Sequence, residues 1–317
     1  MNKPVALTAD LQRALFAEDL IEGLSANPKA TPPKWFYDAE GSALFGEITR
    51  LPEYYPTRTE QGLLSSIRED IGRHVGPGRA VVEYGAGSAD KAILLLQGLD
   101  RPRSYVCVEI DPDAARRTAD AVGERFPELP TKGVAGDFTA LDGMTPAGPE
   151  GARLGFFPGS TIGNFDPGEA AVLLADMREH LGQGAQLLIG ADLVKDRDVL
   201  VPAYDDAAGV TAAFNRNLLV RANRELGADF DVKAFAHEAR WNLGASRIEM
   251  HLRATRPMTV HIHDRAIAFA EGETLHTESS YKYTRESLAA LAQAGGWSLE
   301  TVWTDPKGWF ALALLES

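Results

Sequence analysis

The stretch RAVVEYGAGSADKAILLLQGL, residues 79–99, decides the fold. Ala80-Val81-Val82 reads as a buried strand and Lys91–Leu99 as a helix. Between them, Glu83-Tyr84-Gly85-Ala86-Gly87-Ser88 forms a glycine turn where backbone can approach a ligand at the strand's carboxyl end. The alternation continues downstream, with strands expected at 105–110, 133–135, 154–157 and 186–189 and helices at 112–126 and 167–181. Strands alternating with helices make βαβ units, hence a parallel sheet covered on both faces. A helix at 285–294 and strands at 299–304 and 310–315 return to this texture, and their hairpin makes the sheet mixed.

Upstream, helices are expected at 6–24 and 57–74, with a short segment at 43–51. Between 193 and 281 the pattern breaks. Helices near 199–203 and 210–226 precede strands at 247–253 and 259–262 whose residues alternate as in antiparallel pairs. The expected organisation is an α/β core of residues 59–192 and 282–317 and a discontinuous α+β domain of 1–58 and 193–281.

The chain has 317 residues, enough to bury a large core without disulfides or metal staples. Its formal charge of −13, with no Lys/Arg run, gives no electrostatic footprint for nucleic acid or an anionic membrane. Cys107, the sole cysteine, sits in the apolar run Tyr105-Val106-Cys107-Val108 and reads as a small core hydrophobe. No secretory signal or membrane-length apolar run is visible, so a cytoplasmic location is expected. The chain is expected to act as a monomer.

The glycine turn fits two kinds of ligand. Glu109 closes the second strand 24 residues after Gly85, where an acid can accept bonds from ribose hydroxyls. A dinucleotide fold also uses such an acid, but it wants a third glycine where this chain has Asp90. Asp90 and Glu83 would repel a pyrophosphate, whereas they suit the ammonium and sulfonium of S-adenosylmethionine. Gly136-Asp137-Phe138, after the third strand, adds a carboxylate and a ring suited to adenine. Nucleotide binding and a purely structural α/β domain stay open on this evidence.

Long motifs narrow the choice: TRLPEYYPTRTE (49–60), GSTIGNF (159–165), GADLVKDRDVLVPAYDDAAGVTAAFNRN (190–217) and HTESSYKY (276–283). With them, from Pro32 to Pro306, the chain resembles the histidine-specific N-α-methyltransferases of ergothioneine biosynthesis. The resemblance implies a class I (Rossmann-like) methyltransferase core with a discontinuous substrate domain. It implies three methyl transfers from S-adenosylmethionine to the α-nitrogen of free L-histidine, giving hercynine, with no metal. Carried over by position, the cofactor residues are Tyr37, Gly85, Lys91, Glu109, Asp137 and Phe138. The substrate residues are Phe45, Tyr54, Gly159, Asn164, Tyr204, Met250, Glu278 and Ser280, with Tyr37 and Asn164 closest to the chemistry. Within this set Glu278 and Ser280 face the imidazole, and their spacing of two puts both on one face of an extended segment.

By residue type alone, Asn164 could be a turn residue, Tyr54 a core aromatic, Glu278 a solvated carboxylate and Tyr204 a helix-start residue. A competing pattern is His261-Ile262-His263, two imidazoles on one strand face as in some metal sites. His237, His251 and His276 are available as a third ligand, though none has diagnostic spacing.

Overall fold

The computed structural model describes residues 9–141 and 152–317. In chain order its elements begin with α1 (Ala9–Ser25), β1 (Lys29–Ala30), α2 (Ala39–Ile48), α3 (Tyr55–Val75), β2 (Ala80–Tyr84), α4 (Asp90–Gly98), β3 (Ser104–Glu109) and α5 (Pro112–Arg125). They continue with β4 (Thr131–Ala135), β5 (Arg153–Phe157), α6 (Pro167–Leu181), β6 (Gln186–Asp192), α7 (Arg197–Leu200) and α8 (Val210–Leu226). The last are β7 (Phe235–Asn242), β8 (Arg247–Ala254), β9 (Met258–Ile262), β10 (Arg265–Phe269), β11 (Thr274–Tyr281), α9 (Arg285–Ala294), β12 (Ser298–Thr304) and β13 (Phe310–Glu316). Residues 6–8 of the expected first helix lie outside the described residues. Two compact units result. One comprises the described parts of Pro56–Val194 with Lys282–Ser317, the other the described part of Leu7–Tyr55 with Lys195–Tyr281.

The first unit holds a seven-stranded sheet in the order β12-β13-β6-β5-β2-β3-β4. The neighbours from β6 to β4 pair in parallel, and β13 runs antiparallel to both β6 and β12. Alternate side chains of the central strands serve two helix layers. Val81, Tyr105, Cys107, Leu154, Phe156 and Leu188 join one apolar cluster with residues of α3, α4 and α5. Residues of the other phase meet α6: Tyr84 Oη lies 2.8 Å from His180 Nδ1, and a Cβ on Gly155 would stand 2.7 Å from Leu181. Cys107 is fully buried, and burial pushes its thiol up to about 12. Neighbouring β2 and β5 form the switch point of the sheet, because the chain leaves β2 towards β3 but reaches β5 from the opposite edge. Ligands of open α/β sheets bind at the carboxyl ends of strands at such a point.

In the second unit a sheet ordered β1-β11-β8-β7 packs against α8, and β9 and β10 form a separate hairpin. Strand β7 was not expected from the sequence. Its sequence FAHEARWN mixes charged residues such as Glu238 and Arg240 with small and aromatic ones and carries no apolar run. The segment expected at 43–51 is α2, which starts earlier because Asp38 caps it, accepting from Gly41 N at 2.7 Å. His263 lies in the β9–β10 turn at φ 52° and is no strand neighbour of His261, whose Nδ1 pairs with Asp229 at 2.9 Å. Among the described residues no group of three His, Cys, Asp or Glu is placed to hold a metal ion. No helix among them is long and apolar enough to cross a membrane.

Candidate active site

In the first unit the expected cofactor residues gather at the carboxyl ends of β2, β3 and β4. Gly85 takes φ 74°, and a Cβ there would stand 3.2 Å from the Phe138 ring. A side chain at 85 would be strained and would crowd that ring. Asp137 Oδ1 accepts from Thr139 N at 2.9 Å and Thr139 Oγ1 at 2.6 Å, and Oδ2 has no partner among the described residues. Glu109 Oε1 accepts from Ile110 N at 2.8 Å, which fixes the carboxylate at the strand end. Burial pushes this carboxyl up, and the Ile110 and Asp111 N–H groups pull it back in part. Glu83 is buried and accepts from the Tyr105 hydroxyl. Burial pushes it up to about 7, opposed by that bond and by the Lys91 charge.

The loop after β5 carries Gly159 and Asn164. Gly159 has φ 83° and Ser160 φ 56°, a left-handed pair that costs about 1–3 kcal/mol at the non-glycine position and persists because its surroundings fix it. Three contacts do so. Glu60 accepts from Gly159 N, Ser160 Oγ accepts from Asp192 N at 2.9 Å, and Tyr283 Oη donates to Ile162 O at 3.2 Å. The Asn164 side chain ends the short 3₁₀ turn Thr161–Asn164, half-buried and without a partner among the described residues. An amide held there can both donate to a carboxylate and accept from an amine.

In the second unit the expected substrate residues collect around one sheet face. A register shift between His276 and Glu278 pairs Glu278 with Met250 and Ser280 with Ile248. Paired residues share a face, so Glu278 and Ser280 stand beside buried Met250 and Ile248. His276, Ser279 and Tyr281 face the other way, where His276 stacks on His251 at 4.8 Å. Tyr204 Oη lies 2.8 Å from Ser280 Oγ, both buried. From Tyr204 a chain of edge-on rings runs to Tyr54 at 6.2 Å, to Phe45 at 6.1 Å and to Tyr37 at 5.7 Å. Phe214 of α8 contacts both Tyr37 and Phe45, at 5.8 and 6.1 Å.

His237 supports this face. Its Nε2 lies 2.8 Å from Tyr204 O and its Nδ1 2.8 Å from Asn215 Nδ2. Those partners assign a donating Nε2 and an accepting Nδ1, hence a neutral ring, and burial depresses its pKa accordingly. With both nitrogens engaged, His237 is a prop for Tyr204 and not a free base.

The structure thus brings Gly85, Lys91, Glu109, Asp137, Phe138, Gly159 and Asn164 into the first unit. Tyr37, Phe45, Tyr54, Tyr204, Met250, Glu278 and Ser280 belong to the second. Glu60, Phe214 and His237 were missed in the sequence. The first two lie inside the motifs at 49–60 and 190–217, a signal that could have found them; His237 carries no motif.

A parallel sheet closed by an antiparallel hairpin, with a Gly-x-Gly turn after its first strand and an acid closing its second, defines a class I methyltransferase. A family model described as "Histidine-specific methyltransferase, SAM-dependent" matches residues 16–317, and the chain belongs to that family. It is 44% identical to the histidine N-alpha-methyltransferase of Mycolicibacterium smegmatis, over 97% of each chain. The histidine N-alpha-methyltransferase of Mycobacterium tuberculosis is 42% identical, again over 97% of each. The ergothioneine biosynthesis protein 1 of Neurospora crassa is 27% identical over 87% of this chain and 32% of its own length.

Proposed function

We propose that this enzyme moves three methyl groups from S-adenosylmethionine to the α-amino nitrogen of free L-histidine. The product is hercynine, the first intermediate towards ergothioneine, and the enzyme works as a cytoplasmic monomer. The observation that carries this reading is the sheet face that sets Glu278 and Ser280 side by side, with the Tyr204 hydroxyl on Ser280. An imidazole has two ring nitrogens, and reading both takes two polar groups at fixed spacing. The names of the mycobacterial relatives support the same substrate.

The first unit's residues fit the methyl donor. Asp137 keeps one carboxylate oxygen for a donor, Glu109 is held at the strand end for the ribose, and the Phe138 ring beside Gly85 suits a planar base. Lys91 matches a carboxylate, and Tyr37 completes the set. When bound, S-adenosylmethionine supplies an electrophilic methyl on a sulfonium sulfur. By resemblance Asn164 and Tyr204 are assigned to the substrate's carboxylate and amine end, and Tyr54 and Gly159 to the same substrate set. Phe45 and Met250 supply the apolar side. Such alignment is worth on the order of 7–11 kcal/mol of barrier. Tyr37 guides the departing amine proton to solvent, since His237 is engaged at both ring nitrogens.

The test is incubation with S-adenosylmethionine and each free amino acid, read by mass spectrometry. Histidine should gain three methyl groups, all on the α-nitrogen. Methylation confined to the imidazole, or seen only with another amino acid, overturns the reading.

A further inference from the structure

The first unit contains a fully buried carboxylate, Glu60, whose hold on the Gly159 loop is only part of its pairing. Glu60 of α3 accepts from Gly159 N with both oxygens, at 2.8 and 3.0 Å, and its Oε2 lies 2.5 Å from Lys91 Nζ. Space for it is made by Gly190 of β6, where a Cβ would stand 2.2 Å from Glu60 Oε1. A carboxylate taken wholly out of water survives as an anion only when paired and hydrogen-bonded, and Glu60 has both kinds of partner. What matters is which partners these are. Lys91 opens α4 behind the glycine turn and belongs to the cofactor set. Gly159 opens the left-handed loop that leads to Asn164 and belongs to the substrate set.

We propose that Glu60 is a positioning residue that couples the two ligands: one buried carboxylate fixes the lysine at the cofactor end and the Gly159–Asn164 loop at the substrate end. A carboxylate-bearing ligand at Lys91 draws on the ammonium that Glu60 neutralises. Any change in that pairing alters the charge with which Glu60 grips the Gly159 N–H, and so alters the placement of Asn164. Because Gly159 N–H is already taken by Glu60, the loop serves the substrate through its placement and through Asn164. Two sites joined by a shared element have a reciprocal coupling free energy, commonly worth about 5- to 150-fold in affinity.

This inference rests on the function proposed above, and the test separates the two. Histidine is titrated calorimetrically into the parent enzyme with and without saturating S-adenosylhomocysteine, and turnover with S-adenosylmethionine is measured in parallel. In the parent, S-adenosylhomocysteine should tighten histidine by a factor within about the 5- to 150-fold range, and histidine should tighten S-adenosylhomocysteine equally. Glu60→Gln keeps the size and an acceptor for Gly159 N but lacks the charge for Lys91; its coupling factor should fall to about one, with kcat reduced more than either binding constant. Glu60→Asp keeps the charge but is too short to bridge both partners, and gives the same readout if the Gln variant does not fold. A buried residue of purely structural value would lower the melting temperature and leave the coupling factor in place. A folded variant with the parent's coupling, or a parent that methylates histidine without any coupling, overturns the proposal. A parent that leaves histidine unmethylated sinks the functional reading and this inference with it.

Discussion

Replacing Glu83 by glutamine should stabilise the protein in a pH-dependent way, and the sign follows from burial. Glu83 is 1% exposed, and burial raises its carboxyl from 4.5 to about 7. Between those values the folded chain holds a proton that the unfolded chain has released. Stability from this group is therefore complete below about pH 4.5 and is lost as pH rises through 7. A difference of about 2.5 units corresponds to roughly 3.5 kcal/mol at about 1.4 kcal/mol per unit. The glutamine amide carries no charge at any pH, and its oxygen can still accept from Tyr105. Parent and Glu83→Gln should melt together near pH 5 and diverge towards pH 8, with the variant more stable. For a chain of 317 residues, roughly 1.5 °C per kcal/mol makes the gap about 5 °C. Comparing the two proteins isolates this group from every other titrating group, since all others are common to both. Thermal melts at half-unit pH intervals decide it. A gap that stays constant with pH, or a parent that gains on the variant as pH rises, refutes the burial argument.

Other perturbations probe the ligand sites. Glu278→Ala should raise the histidine KM about 10- to 150-fold, the equivalent of a charge-assisted hydrogen bond of about 1.5–3 kcal/mol, with Glu278→Gln between it and the parent. Calorimetry should find S-adenosylhomocysteine binding unchanged in both, and histidine affinity equal to the parent's would remove Glu278 from the site. Asp137→Ala and Glu109→Ala should each weaken S-adenosylhomocysteine by about 1–3 kcal/mol in the same assay, and unchanged affinity in both would mean that the adenosine binds elsewhere. Gly85→Ala places a Cβ 3.2 Å from the Phe138 ring at φ 74°, so it should lower stability by about 1–2 kcal/mol and weaken the same ligand; a neutral result in both would show that the turn relaxes.

The sequence by itself determined the parallel sheet, its closing hairpin and the turn that carries Gly85. These follow from apolar runs and glycine punctuation, which report what each short segment prefers on its own. It also determined that Cys107 is a core residue and that Glu278 and Ser280 share a face, because a spacing of two is a property of any strand. Only the tertiary structure decided which face that is. The irregularity between His276 and Glu278 shifts the register against β8, placing both residues with Met250 and turning His276 to the opposite side. The same holds for Glu60, which in sequence looks like one more polar position on a helix. Its partners stand 31 and 99 residues away, at Lys91 and Gly159, and the space it fills exists because Gly190 lacks a side chain. His263 shows the converse: alternation suggested a strand neighbour of His261, and a tight turn put it elsewhere. Local preference is encoded in neighbouring residues. Register, buried ion pairs and shared cavities arise only when distant segments compete for the same interior, where burial makes every unpaired polar group costly.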